Sequence, residues 1–138
     1  MINSYSVITQ TPITGGVLTF ATDSIKTGCG VCHTEGTGTY TLSKPGYYYV
    51  TFNGSAATAG AAAGDVTVQL YNGDTVVPGA ISTGTSADTT TVVPLKFSTI
   101  VKVNPSCCAV CNKAVLTVRN TGVGASFDNV NLTINRLA

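Results

Sequence analysis

Charge is what this sequence has least of. Asp, Glu, Lys and Arg make up 9% of its 138 residues, against roughly 25% in an average soluble domain. The seven Lys and Arg are scattered, and the formal net charge is +1. Counterion-release binding needs clustered cations, so no nucleic acid is expected as a partner. Long apolar runs are missing as well: no window reaches the roughly 20 residues that a membrane-spanning helix requires. The opening residues Met1-Ile2-Asn3-Ser4-Tyr5 lack the basic and then apolar segments of a secretory signal. A Met start favours synthesis and assembly inside the cell. Helix signals are nearly absent too. The one alanine-rich stretch, residues 56–63, is broken by Gly60 and closed by Gly64, and it reads as a loop. No internal repeat, linker or Gly-X-Y stalk is present.

Thr, Gly, Ala, Val and Asn fill the space that Lys and Glu usually occupy. The 43% hydrophobic content rules out a disordered tail, and the length fits one domain over residues 1–138. Thr-rich, charge-poor surfaces pair well across strands and lose little when packed against copies of themselves. Such composition is common among assembled extracellular or particle-surface proteins.

Strand signals recur at about 8–12-residue spacing. Residues 4–11 and 17–21 are the first two predicted strands, split at Gly15-Gly16. Residues 40–43 stop at Lys44-Pro45-Gly46, and residues 47–53 follow with Tyr48, Val50 and Phe52 on one face. Residues 65–71 alternate with Val66, Val68 and Leu70 inward, and Asn72-Gly73-Asp74 turns the chain into residues 75–77. Residues 92–103 place Val93, Leu95, Phe97, Val101 and Val103 on one side, with Pro94 marking a bulge or an edge. Residues 114–119 and 129–137 complete the chain, the last presenting Val130, Leu132 and Ile134 to one face. Eight to ten antiparallel strands make a two-sheet, all-β jelly-roll sandwich.

The order of motifs is also recognisable. The run Leu42-Ser43-Lys44-Pro45-Gly46-Tyr47-Tyr48-Tyr49-Val50, then Val66-Thr67-Val68-Gln69-Leu70-Tyr71-Asn72-Gly73 and Val76-Val77-Pro78-Gly79, resembles the tumour-necrosis-factor/complement-head superfamily. Residues 127–137 resemble its closing strand. The match is similar in texture to the heads of bacterial collagen-like spore-surface proteins and to short stand-alone proteins of gut Firmicutes and their phages. The resemblance implies a ten-strand jelly roll that forms a tight homotrimer and serves as an exposed head for attachment, decoration or binding. It brings no catalytic residues. The chain departs from the complement heads in lacking a stalk and in its five cysteines.

Those cysteines fall in two clusters, Cys29-Gly30-Val31-Cys32-His33 and Cys107-Cys108-Ala109-Val110-Cys111, both expected in loops. Cys29, Cys32, Cys108 and Cys111 have the paired C-x-x-C spacing of a tetrahedral zinc site, with Cys107 or His33 as a substitute ligand. Disulfides between the clusters, within or between subunits, are favoured over zinc, and the odd cysteine is then left for a cross-link. Cys29-x-x-Cys32-His33 also matches the covalent haem attachment pattern, but the sole Met is Met1 and there is no second His. A redox or nucleophilic role would need a helix after the pair, or an orienting group and oxyanion hole. Asn53-Gly54-Ser55 and Asn131-Leu132-Thr133 fit the glycosylation acceptor pattern. Tyr47, Tyr48 and Tyr49 could stack on sugar rings, but packing in the core and at the subunit interface is the favoured role. Asp65, Asp74, Asp88 and Asp128 lie near turns and could hold calcium, but they are singletons, and Asp there usually serves the turn itself.

The reading is a non-enzymatic, homotrimeric decoration or fibre-head protein of a phage particle or spore surface. Its partners are copies of itself and a larger assembly, with carbohydrate or a cell-surface receptor as candidate ligands. The alternatives are a self-polymerising filament subunit cross-linked through cysteines, and a small metal- or haem-carrying redox protein.

Overall fold

A computed structural model describes residues 1–28, 30–60, 62–105 and 114–137. Ten strands run β1 Ile2–Ser6, β2 Thr22–Lys26, β3 Val31–His33, β4 Tyr40–Leu42, β5 Gly46–Thr58, β6 Gly64–Asn72, β7 Thr75–Ser86, β8 Val93–Val103, β9 Ala114–Asn120 and β10 Ala125–Arg136. They form two five-stranded sheets, β2-β1-β10-β5-β8 and β3-β4-β9-β6-β7, with antiparallel neighbours throughout. The jelly-roll expectation holds.

Alternation decides which face each strand buries. β1 turns Ile2, Ser4 and Ser6 inward, and β10 buries Val130, Leu132 and Ile134 while Asn131, Thr133 and Asn135 look outward. The two inner faces meet in one core that holds Phe20, Tyr40, Tyr48, Phe52, Leu70, Leu116 and Phe127, all fully buried. Phe52 stacks on Phe97 across β5 and β8, ring centres 5.4 Å apart.

Several boundaries differ from the sequence reading. Residues 56–58 are the end of β5 rather than a loop, because Ala56 pairs with Val93 and Phe127, Ala57 with Ser126 and Thr58 with Ala125, and both alanines are buried. Of residues 17–21, only Val17 makes a ladder contact, an isolated bridge to Arg119; Leu18 and Phe20 are core residues on an irregular segment. The short strands β2 and β3 carry no clear two-residue period, and tertiary pairing alone makes them strands. Pro94 lies in an edge strand, β8, as expected. Asn129 takes a left-handed φ of 52° at the bulge between Asp128 and Asn131, a conformation that Asn tolerates. Gly122 is required by close approach: a Cβ there would meet the Asp65 carbonyl oxygen at 2.3 Å.

Three chain directions set up the functional ends. β5 climbs from a base at Gly46 to a tip at Thr58, and β6 and β8 descend from the tip. Val31 and Ala114 both pair with Leu42, so β3 and β9 enter their sheet at the same level on the base side.

Candidate functional site

Two features stand out: a buried polar cluster that joins the sheets, and an outer face whose central rows carry no carboxylate. The cluster is centred on His33, the chain's one histidine. Its side chain is completely buried. Its ring lies flat on Tyr40, 4.1 Å away with planes 5° apart. Nδ1 is 2.7 Å from Asp23 Oδ1 on β2, and Nε2 is 2.9 Å from the Thr37 carbonyl oxygen. A carbonyl can only accept, so Nε2 donates to Thr37 while Nδ1 faces the Asp23 carboxyl. Asp23 Oδ1 also accepts from the Ser4 hydroxyl, and the Asp23 amide donates to Glu35 Oε1 over 2.9 Å. Lys26 closes the group from outside: its ammonium donates to the His33 carbonyl over 2.8 Å and stands 3.9 Å from Asp23 Oδ2. Among the described residues, Asp23 Oδ2 and Tyr40 Oη are buried without a hydrogen-bond partner. Burial pushes the Tyr40 phenol well above its usual range, while Ser4 beside it pulls down and the Asp23 charge adds to the rise.

Ser4, His33 and Asp23 are hydrolase residue types in a non-hydrolase arrangement. A serine nucleophile needs its hydroxyl on a free ring nitrogen; here Ser4 donates to the carboxylate and Nε2 is held by a backbone carbonyl. The same wiring leaves neither ring nitrogen for an iron or zinc ion. His33 is therefore a structural tie, and the haem and His-ligand readings lose their ligand.

Of the predicted cysteine site, Cys29, Cys107, Cys108 and Cys111 lie outside the described residues. Cys32 sits in β3 rather than in a loop; its thiol is exposed and is free among the described residues. It lines a shallow groove of about 610 Å³ with Lys26, Thr34, Thr39 and Thr41. The Asn131 amide is engaged with Asn3 and is half-buried, so it is no open acceptor site, whereas Asn53 is exposed. Asp88 closes its own turn by accepting from the hydroxyls and amides of Thr90 and Thr91. Those bonds, the Thr90 hydroxyl first, hold its carboxyl below the ordinary value.

The outer face of β2-β1-β10-β5-β8 is the second feature. Cross-strand rows there read Tyr47–Lys102, Asn135–Tyr49–Ile100, Asn3–Thr133–Thr51–Ser98 and Tyr5–Asn131–Asn53–Lys96. No carboxylate lies in these rows. Tyr49 and Ile100 are 40% and 56% exposed. Asn3, Asn131 and Thr133 bond to one another within the face. Sequence reasoning had Tyr47, Tyr48 and Tyr49 divided between core and interface; Tyr48 is the core residue, donating to the Lys44 carbonyl over 2.7 Å.

Solved structures with this architecture include murine APRIL, with a TM-score of 0.64, 8% identity, and coverage of 99% of this chain and 97% of that one. The fold is that of the tumour-necrosis-factor and complement heads. The globular domain of zebrafish complement 1qA superposes with a TM-score of 0.56 at 11% identity, over 99% of this chain and 97% of that one. PRD1 vertex protein P5 gives 0.59 at 11% identity, over 99% and 96%. No family model and no curated protein matches the sequence.

Proposed function

We propose that this chain is a non-enzymatic structural protein that forms a homotrimer and serves as a decoration or fibre-head subunit on the surface of a phage particle or spore. The observation that carries the reading is the outer face of β2-β1-β10-β5-β8. Tyr49 and Ile100 are exposed at its centre, Asn3 and Asn131 are already paired in-plane, and its four rows from Tyr47–Lys102 to Tyr5–Asn131–Asn53–Lys96 carry no carboxylate. Interface cores are enriched in Tyr and depleted in charge, and a standard interface needs only about 800 Å² per partner. In a closed trimer each subunit offers two different patches to its neighbours. The likeness to a vertex protein supports a particle-surface setting. Tyr49→Glu and Ile100→Glu place a charge at the centre of the face. Light scattering at micromolar concentration should report a trimer for the parent chain and monomers for both variants. A parent chain that is monomeric would remove the reading.

A second element of the proposal concerns the cysteines: at least one of Cys29 and Cys32 is linked to one of Cys107, Cys108 and Cys111, by a disulfide or through a shared zinc ion. What supports it is the common register of Val31 and Ala114 on Leu42. The two clusters precede strands that start at one level, two strand spacings apart, or about 10 Å.

A further inference from the structure

The charges that the buried cluster does not use sort by height in the sandwich. At the tip, Asp128 sits opposite Ser55 and Asp65 opposite Thr85. Asp88 follows β7, its carbonyl bonded to the Ser86 hydroxyl that also holds the Thr58 amide. The tip loops, residues 7–16, 87–92 and 121–124, contain no Lys or Arg. At the base the sign reverses. Lys102 lies opposite Tyr47 and Arg136 opposite Tyr48. Lys44 is exposed in the turn before β5, and the Met1 ammonium donates to Thr27 nearby. The one carboxylate in a base turn, Asp74, stands 3.6 Å from the Arg119 guanidinium and is matched locally. Lys96 belongs to the flat face, opposite Asn53.

The two ends are far apart on the scale that matters. β5 alone has 13 residues, which at about 3.3 Å each span roughly 40 Å. Screening at 0.1 M salt acts over about 10 Å, so the negative tip and the positive base do not cancel within one molecule. Each end also exposes apolar side chains beside its charges: Ile13 (77% exposed) and Val92 at the tip, Leu137 and Tyr47 at the base.

We propose that these ends are made for each other: the tip of one copy docks on the base of the next, head to tail along the long axis. The occupant is a second copy because the same chain supplies both signs of charge. Complementary ends steer the encounter and fix its polarity. A head-to-tail contact that does not close on itself grows into a stack. This contact adjoins the sideways face assigned to the trimer and meets it at the Tyr47–Lys102 row.

Sedimentation velocity on the full chain tests the docking by reading multiples of the basic unit, be it monomer or trimer. Raising salt from about 0.02 M to about 0.5 M should weaken the stacking constant by about tenfold or more. Lys44→Glu with Thr27→Glu makes the base acidic at two exposed positions off the trimer rows, and Asp65→Lys with Ala87→Lys makes the tip basic. Each double variant alone should lose its stacks. Mixed in equal amounts they should regain them, since the acidic base of one meets the basic tip of the other. Stacks that ignore salt, or a mixture that stays unstacked, would overturn the docking. The size of the unit at high salt reports separately on the trimer.

Discussion

The His33 ring and the Asp23 carboxylate, 2.7 Å apart, tie β3 to β2, edge strands that belong to different sheets. Main-chain pairing cannot close this side of the sandwich, so buried polar side chains do it, and their value lies in being mutually satisfied. Asp23→Ala leaves His33 Nδ1 and the Ser4 hydroxyl without the partner they share. A broken buried pair costs about 3–5 kcal/mol, and urea denaturation should show a loss in that range. The double variant with His33→Ala should cost less than the sum of the two single changes. A loss below about 1 kcal/mol, the range of exposed pairs, would show that the tie does not hold the edge.

Tyr40 contributes through its ring rather than its hydroxyl. The ring stacks on His33 and meets Phe20 edge-on at 5.7 Å, whereas the hydroxyl is buried without a hydrogen-bond partner. An unpaired buried polar group costs about 1–3 kcal/mol, so Tyr40→Phe should melt no lower than the parent at neutral pH. The pH dependence follows in sign. The folded phenol holds its proton above the ordinary value of 10.0, so the folded state is favoured fully below that value and loses ground as the pH rises past it. The phenylalanine variant lacks this alkaline loss, and its melting advantage should widen above pH 10. A lower melting temperature at pH 7 would contradict the argument.

At the tip, the Asp88 carboxylate organises residues 88–91, and its ordinary value of 3.8 is lowered by the Thr90 and Thr91 bonds. A depressed carboxylate stabilises the fold above its unfolded value and loses that contribution as the pH falls through the folded one. Asp88→Asn should therefore melt slightly below the parent at pH 7, and the gap should close below pH 3.8. The site is fully exposed, so the effect is small. A gap that is constant from pH 7 to pH 2 would assign it to something other than the charge.

The sheet strands with clean alternation were legible in the sequence because each buries one face: Val66, Val68 and Leu70 in β6, and Val130, Leu132 and Ile134 in β10. β2 and β3 were not, since Thr22–Lys26 is mostly polar and Val31–His33 is three residues long. His33 read as a metal or haem ligand because it follows Cys32. Its real partner, Asp23, is ten residues away, and neither Asp23 nor Tyr40 has a local pattern. A signal was present nonetheless. In a chain with six acidic residues and one histidine, each acidic residue is a candidate partner for that histidine.

The cysteine link brings sequence and fold together. Spacing and the expected jelly-roll topology pair Cys29 and Cys32 with Cys107, Cys108 and Cys111, and the structure adds the level start of Val31 and Ala114 on either side of Leu42. A bridge between the clusters would close a loop of some 75 residues, worth about 4 kcal/mol by chain entropy. Cys29→Ser with Cys32→Ser should accordingly lower the melting temperature by several degrees, as losing such a link costs about 2–5 kcal/mol. Reductant and chelator separate the two chemistries. A disulfide predicts that reductant reproduces the loss, and that the intact mass is two hydrogens lighter per bridge. Zinc predicts that a chelator reproduces it and that metal is released with the protons returning to sulfur. If neither reagent moves the melting temperature, and all five thiols react in the native protein, the clusters are independent and the base is held by packing alone.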